Sequence, residues 1–267
     1  MRLPVLMLLG AAACSAADAA PAAKTADTEL YEMDTAAQPA PAAGSPIDRI
    51  LKSLQIRACV RADVPPFGAF SSSGLDGFDV ALAREVAEEI SIAYKQPLRV
   101  DWVVVPAADR VKFVQDGACD FMIAAFSHTP ERATQVGESK VYLRTDKVLV
   151  AAQKITRKEP IIGKVGGTTG DAGDVKGRVQ TFANYQEVIQ AMDLDEVDYL
   201  VVDRPIGEHL IRSSMRPYRV AKVMAENAES YVVAVHTGQT DLLGAVNHAL
   251  DNIARSGRLA LLHRRWL

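Results

Sequence analysis

Arg61, Arg110 and Arg132 each follow an apolar run, in "RACVRAD", "VVVPAADR" and "IAAFSHTPER". A guanidinium at such a place holds an anion: its planar fork of N–H groups grips a carboxylate or phosphate at two points, as a lysine does not. Hydroxyls accompany the arginines, with Ser127 and Thr129 just before Arg132 and with Thr168 and Thr169 in "GGTTGD"; Asp203, in "VVDRP", closes another apolar run. Three arginines and four hydroxyls gathered in this way make an anion site by residue type. "TPER" also has the grammar of a helix start, with Thr129 as cap, Pro130 at N1 and Glu131 in the first turn. Free N–H groups and the positive end of the helix dipole favour a carboxylate or phosphate there. The competing reading is an ordinary capped helix whose Arg132 pairs with Glu131 or Glu138 on the surface.

The elements that must carry these residues alternate. "QIRACV" reads as a strand, and "GFDVALAREVAEEI" as an amphipathic helix with Phe78, Leu82, Val86 and Ile90 at i, i+4 spacing. "RVDWVVV" is a strand, "VKFVQDG" a short helix and "CDFMIAAF" a third strand. After "KVLVAAQ" the pattern restarts, with "IIGKV" and "DYLVV" as strands and "YQEVIQAMDL" and "RPIGEHLI" as helices. "YVVAV" and the helix "QTDLLGAVNHALDNIARSG" end the chain and are expected to return to the first unit. Such alternation makes a largely parallel sheet flanked by helices, here in two α/β units, hence two lobes. Ligands of open α/β sheets bind beyond the carboxyl ends of the strands, where the arginines, hydroxyls and Asp203 all fall. No internal repeat is evident.

The chain as a whole narrows the setting. At 267 residues and a net charge of −3 it has no global attraction to nucleic acid or to a membrane surface, so any basic site is local. "MRLPVLMLLGAAAC" reads as a signal peptide over residues 1–14, too short to span a bilayer. "AAAC" is similar to a bacterial lipobox, which makes Cys14 the expected lipid attachment site; simple cleavage nearby is the alternative. Residues 15–47, rich in Ala and Pro, cannot bury enough surface to offset their ordering entropy and form a tether. Cys59 and Cys119, in an exported chain with no zinc-ligand spacing around them, are expected to form a disulfide. The five histidines show no ligand spacing, so no metal and no cofactor is expected.

Taken in order, "VRADVPPFG", "DGFDVALAREVA", "DGACDFMIAAFSHTPER", "GGTTGD" and "VDYLVVDRP" resemble the bacterial family 3 extracellular solute-binding proteins, which serve polar amino acid ABC transporters. The resemblance runs from about Asp48 to Trp266. It implies a type II periplasmic binding protein fold. Lobe 1 would span residues 48–143, lobe 2 residues 144–229, and residues 230–267 would return to lobe 1, with two hinge strands joining the lobes. It further implies that Arg132, helped by Ser127, binds the ligand's α-carboxylate, that Asp203 takes the α-ammonium, and that Thr169 assists from the second lobe; Thr168, beside it, is a further candidate. In the glutamate- and aspartate-binding branch an arginine matched by Arg110 grips the distal carboxylate, and Arg61 adds a charge where histidine- and lysine-type binders have an aspartate. A neutral or basic ligand would leave a buried guanidinium unpaired, at a cost of about 3–5 kcal/mol.

The expectation is therefore a non-enzymatic, monomeric protein of the periplasm or extracytoplasmic membrane face, touching the membrane only through a lipid anchor. It would bind glutamate or aspartate and deliver it to an ABC permease. There are departures from the family pattern: "SKVYLR" keeps only Tyr142 of the aromatic hinge motif, and Val64 stands where many members carry tyrosine. Cys59 and Cys119 also resemble a quinoprotein dehydrogenase-associated branch, which lacks the "TPER" arginine. Two other readings use the same fold. One is a ligand-sensing lipoprotein. The other is an enzyme resembling cyclohexadienyl dehydratases, with Asp203 as general acid; the neighbouring arginines are expected to hold Asp203 ionised and so to disfavour it.

Overall fold

The computed structural model describes residues 40–72 and 74–267, so the expected signal peptide, the Cys14 lipid site and the tether as far as residue 39 lie outside the described residues. The first half of the chain contains α1 (Pro46–Ser53), β1 (Gln55–Val60), the short strands β2 (Asp63–Val64), β3 (Gly68–Ser71) and β4 (Gly74–Asp76), α2 (Phe78–Tyr94), β5 (Arg99–Val104), α3 (Arg110–Gln115), β6 (Phe121–Met122), the single turn α4 (Pro130–Ala133) and β7 (Gly137–Ala151). The second contains β8 (Ile161–Val165), β9 (Arg178–Phe182), α5 (Tyr185–Asp193), β10 (Tyr199–Asp203), α6 (Arg204–Ser213), β11 (Arg219–Val235), α7 (Thr240–Arg255) and α8 (Arg258–Trp266). The expected end of the tether at residue 47 falls inside α1. Ser45 caps that helix through a hydrogen bond from the Asp48 N–H, and Ile47 is buried.

The eight-stranded sheet runs β5-β1-β6-β11-β7-β10-β8-β9. β1 pairs in parallel with β5 and β6, and β8 in parallel with β9 and β10. The two long strands β7 and β11 occupy the centre and pair antiparallel from Gly137↔Val235 to Arg219↔Ala151, so each passes from one α/β half into the other. Their register shifts between Met224 and Glu229, opposite Lys147 and Thr145. A bulge of this kind bends the strand that carries it, and it sits where the two halves meet.

Burial follows the sequence pattern. Phe78, Leu82 and Val86 of α2 are fully buried and Ile90 nearly so, as the i, i+4 stripe requires, each side chain contributing about 1.5–3 kcal/mol. Leu242, Val246 and Ile253 of α7 are also fully buried, and α7 packs on α2, which returns the C-terminal segment to the first half. Cys59 in β1 and Cys119 just before β6 form a disulfide. "CDFMIAAF" is buried as expected but is a strand only at Phe121–Met122. Ala125 adopts a positive φ of 45°, which lifts the chain out of the ladder until the Ser127↔Tyr231 bridge.

Candidate functional site

The three arginines are all held by the structure, in different ways. Arg61, 2% exposed at the end of β1, makes a fork to Asp63: Nε donates to Oδ1 and Nη2 to Oδ2, both at 2.8 Å. Its guanidinium carbon also lies 5.4 Å from the centre of the Tyr185 ring. Arg110, equally buried, bonds backbone carbonyls instead. Nε donates to Ala107 O at 3.0 Å, Nη1 to Ala124 O at 2.9 Å and Ala125 O at 2.6 Å, and Nη2 to Gly167 O at 2.8 Å. Arg132 donates from Nη1 to Ser127 O and from Nη2 to the same Gly167 O, both at 2.8 Å, and stacks over Phe126 at 4.5 Å.

Gly167 thus joins the halves. Its carbonyl receives both guanidiniums, its φ is +73°, and a Cβ there would come within 2.4 Å of Ala108 Cα. Only glycine tolerates that backbone angle and that approach together.

Three expectations change. Neither Arg110 nor Arg132 forms an ion pair with a carboxylate among the described residues, so the surface reading in which Arg132 pairs with Glu131 or Glu138 does not hold. Arg110, expected at the distal carboxylate, spends four of its five N–H donors on carbonyls, whereas Arg61 spends two. α4 is also only one turn long, and Thr129 Oγ1 accepts from the Arg132 N–H at 3.1 Å. So short a stack of peptide dipoles offers little field, and any anion affinity rests on the Arg132 side chain.

The other predicted residues divide. Ser127 is 2% exposed, with Oγ 3.5 Å from Thr169 Oγ1, which donates to Glu229 Oε1 at 2.8 Å. Thr168 does not join them; its hydroxyl donates to Val165 O at 2.7 Å and accepts from the Gly170 N–H, closing a local turn. Asp203 stands at the N-cap of α6 without capping it, and its Oδ2 accepts the Tyr231 hydroxyl. Burial, reinforced by the charge of Glu229, pushes its carboxyl up to about 6 against the pull of the Tyr231 hydrogen bond. Desolvation outweighs the pull of the neighbouring cations, so the carboxyl is raised rather than held at its ordinary value, yet at about 6 it is still ionised at neutral pH. Burial likewise brings Arg110 down to about 9, helped by repulsion from Arg61 and Arg132.

Sequence reasoning missed four residues here. Glu229 in β11 and Lys147 in β7 form a buried ion pair, and Tyr231 holds Asp203. Asp79 of α2 accepts the Ala125 N–H at 2.6 Å and the Tyr142 hydroxyl at 3.0 Å, so it fixes the left-handed residue whose carbonyl orients Arg110. Burial raises its carboxyl to about 7. The available signal was a charge embedded in an apolar strand pattern, as in "TDKVLVA" and "AESYVVAV". A separate cavity of about 260 Å³ is lined by Asp63, Pro65, Tyr185, Ile189, Ile206 and Leu210; neither Arg132 nor Asp203 reaches it.

The family model described as "Bacterial extracellular solute-binding proteins, family 3" matches residues 56–267. The chain belongs to this family. This solute-binding protein is 24% identical over 221 residues to the ABC transporter glutamine-binding protein GlnH of Bacillus subtilis, spanning 78% of this chain and 79% of GlnH. It is 24% identical over 204 residues to the glutamate-binding protein GluB of Corynebacterium efficiens, spanning 69% of each. Among solved structures it matches a solute receptor for L-cysteine of Neisseria gonorrhoeae at a TM-score of 0.75 and 28% identity, over 83% of this chain and 93% of that one. A variant of ArgBP from T. maritima matches at 0.74 and 23%, over 83% and 98%. The fold is the two-lobe type II periplasmic binding protein fold, its halves joined by β7 and β11. No helix among the described residues is long and apolar enough to cross a membrane.

Proposed function

We propose that this solute-binding protein captures an acidic amino acid, glutamate or aspartate, outside the cytoplasm and delivers it to the permease of an ABC transporter. One observation carries the reading: Arg110 and Arg132 converge on the Gly167 carbonyl with no carboxylate partner among the described residues, beside the half-buried carboxylate of Asp203. Around the cleft, Arg61, Arg110, Arg132 and Lys147 face Asp63, Asp203 and Glu229, a balance of +1 while Asp79 is protonated. A ligand of net charge −1 neutralises it, and a basic ligand makes it worse. The glutamate-binding relative supports the acidic choice, and the glutamine-binding one supports the amino acid class.

In this reading Arg132 and Ser127 hold the α-carboxylate, Asp203 the α-ammonium, and Thr169 bridges the lobes. Arg61, with three N–H donors beyond its Asp63 fork, takes the distal carboxylate, while Arg110 frames the site through its carbonyls. The lobes, over 48–143 with 230–267 and over 144–229, close on the ligand as a monomer. Cys14 carries the lipid that anchors the protein at the periplasmic membrane face.

Calorimetric titration with the common amino acids tests the proposal. L-glutamate or L-aspartate is expected to give the tightest binding, and Arg61→Ala is expected to weaken glutamate about tenfold to a hundredfold while sparing glutamine. Tight binding of arginine with no heat from either acid would sink the specificity claim. The raised carboxyl of Asp203 is what a general acid needs, so a dehydratase is the second reading. Incubation with a cyclohexadienol carboxylate is expected to yield no aromatic product.

A further inference from the structure

Glu229 sits in β11 at the bulge between the two halves, with a side chain only 6% exposed. Its Oε1 receives both of its protein contacts, the Thr169 hydroxyl at 2.8 Å and the Lys147 ammonium. Its Oε2 accepts no hydrogen bond among the described residues. Asp203 has the same asymmetry: Oδ2 takes the Tyr231 hydroxyl and Oδ1 accepts nothing among the described residues. The two carboxylates are neighbours. Asp203 pairs in register with Lys147 across β10 and β7, and Lys147 is the partner of Glu229. Neither Glu229 Oε2 nor Asp203 Oδ1 is among the fully buried side-chain atoms left without a partner, so neither is a sealed, unsatisfied acceptor of the core.

An ammonium group presents three N–H donors. Asp203 Oδ1 can satisfy one of them, and a cation taken out of water needs the others filled. Glu229 Oε2 offers a second acceptor. The Thr169 oxygen, which gives its own proton to Glu229 and lies 3.5 Å from Ser127 Oγ, offers a third. The charges agree, since Asp203, Glu229 and Lys147 together carry −1, which one ammonium neutralises.

We propose that Glu229 is a second ligand-binding carboxylate, which receives the α-ammonium of the bound amino acid together with Asp203. This rests on the amino acid reading above. In the complex, Glu229 Oε2, Asp203 Oδ1 and Thr169 Oγ1 each accept one N–H, and Lys147 holds Glu229 in place through Oε1.

The test compares L-glutamate with 2-oxoglutarate, which keeps both carboxylates and lacks the ammonium, by calorimetry on the wild-type protein, on Glu229→Gln and on the charge-balanced Lys147→Gln/Glu229→Gln. Thermal melts establish that each variant is folded. Both variants are expected to lose about tenfold to a hundredfold in L-glutamate affinity while changing 2-oxoglutarate affinity little. Equal losses for the two ligands, or no loss for L-glutamate, overturn the assignment. The crystal structure of the wild-type complex gives an independent answer. The ligand nitrogen is expected about 3 Å from Glu229 Oε2, and a nitrogen bonded to Asp203 alone overturns it. A wild-type protein that gives heat with no α-amino acid overturns the amino acid reading as well, whereas heat with undiminished discrimination in the variants overturns only the role of Glu229.

Discussion

The two sides of the cleft hold their charges by opposite means. On the side of β1 and β6, Arg110 and Arg132 are oriented by backbone carbonyls and carry their charge without a partner carboxylate among the described residues. On the side of β10 and the long strands, Asp203 and Glu229 are held by hydroxyls from Tyr231 and Thr169, with Lys147 beside them. Carbonyl dipoles orient a guanidinium but cannot neutralise it, so the first side stays cationic throughout the physiological range, with Arg110 titrating only near 9. A half-buried carboxylate held by a neutral hydroxyl shows its desolvation in its own titration, and Asp203 moves to about 6. The cationic side is therefore fixed and the acidic side is sensitive to pH; under the proposed function these are two separable handles on a zwitterion.

Removing the cationic handle is expected to have the largest effect. Arg132→Ala leaves a ligand carboxylate buried without its partner, a loss of about 3–5 kcal/mol, or about a hundredfold to several thousandfold in affinity for every amino acid. Titration calorimetry reads this directly; retained binding at wild-type affinity would remove Arg132 from the site.

Second in size is the covalent difference between the sides. Cys59–Cys119 staples the β1–β6 side across a sequence separation of 60. Reduction, or Cys59→Ala with Cys119→Ala, is expected to lower unfolding free energy by about 2–4 kcal/mol in urea titrations, chiefly by releasing the unfolded chain. An unchanged midpoint would mean that packing alone holds that side.

The smallest effect is graded by pH. The ammonium site of the proposed function needs Asp203 ionised, so affinity is expected to fall by up to about tenfold per unit as pH drops below about 6, and Asp203→Asn should flatten the profile. Stability without ligand has the opposite sign. The unfolded carboxyls release their protons near 4, whereas folded Asp203 and Asp79 hold theirs to about 6 and about 7. Their contribution is greatest below about 4 and declines as pH rises through 6 to 7, so thermal melts are expected to be higher at pH 5 than at pH 8. Identical melts at both values would show that neither carboxyl is shifted.

The fold was legible wherever burial and periodicity coincide. α2 announces itself through Phe78, Leu82, Val86 and Ile90, β10 through the unbroken apolar run over residues 199–202, and β1 through the apolar residues of "QIRACV". The β2–β3–β4 meander and β9 were not legible, because they are short and partly exposed, and "RVQTF" has almost no apolar face. β7 and β11 were seen only in fragments, since Lys147 and Glu229 interrupt their hydrophobic pattern and the bulge interrupts their alternation.

The site was legible in part for the same reason. Arg132, Ser127, Thr169 and Asp203 lie at the ends of apolar segments, where strand grammar directs attention; the first three come together around Gly167 and Glu229, and Asp203 is tied to Tyr231 nearby. Thr168 shares that position but turns its hydroxyl back on its own loop, a choice made by local backbone geometry.

By itself, then, the order of apolar runs, caps and arginines was enough to read a two-lobe α/β chain and to place the expected anion site at its strand ends, because hydrophobic period and residue chemistry are local properties. Only the tertiary structure could decide that Arg110 faces carbonyls, that the Asp203 carboxyl is raised above its ordinary value and that Glu229 stands near it. Those facts depend on which distant segments share one buried volume, and on how much water that volume excludes.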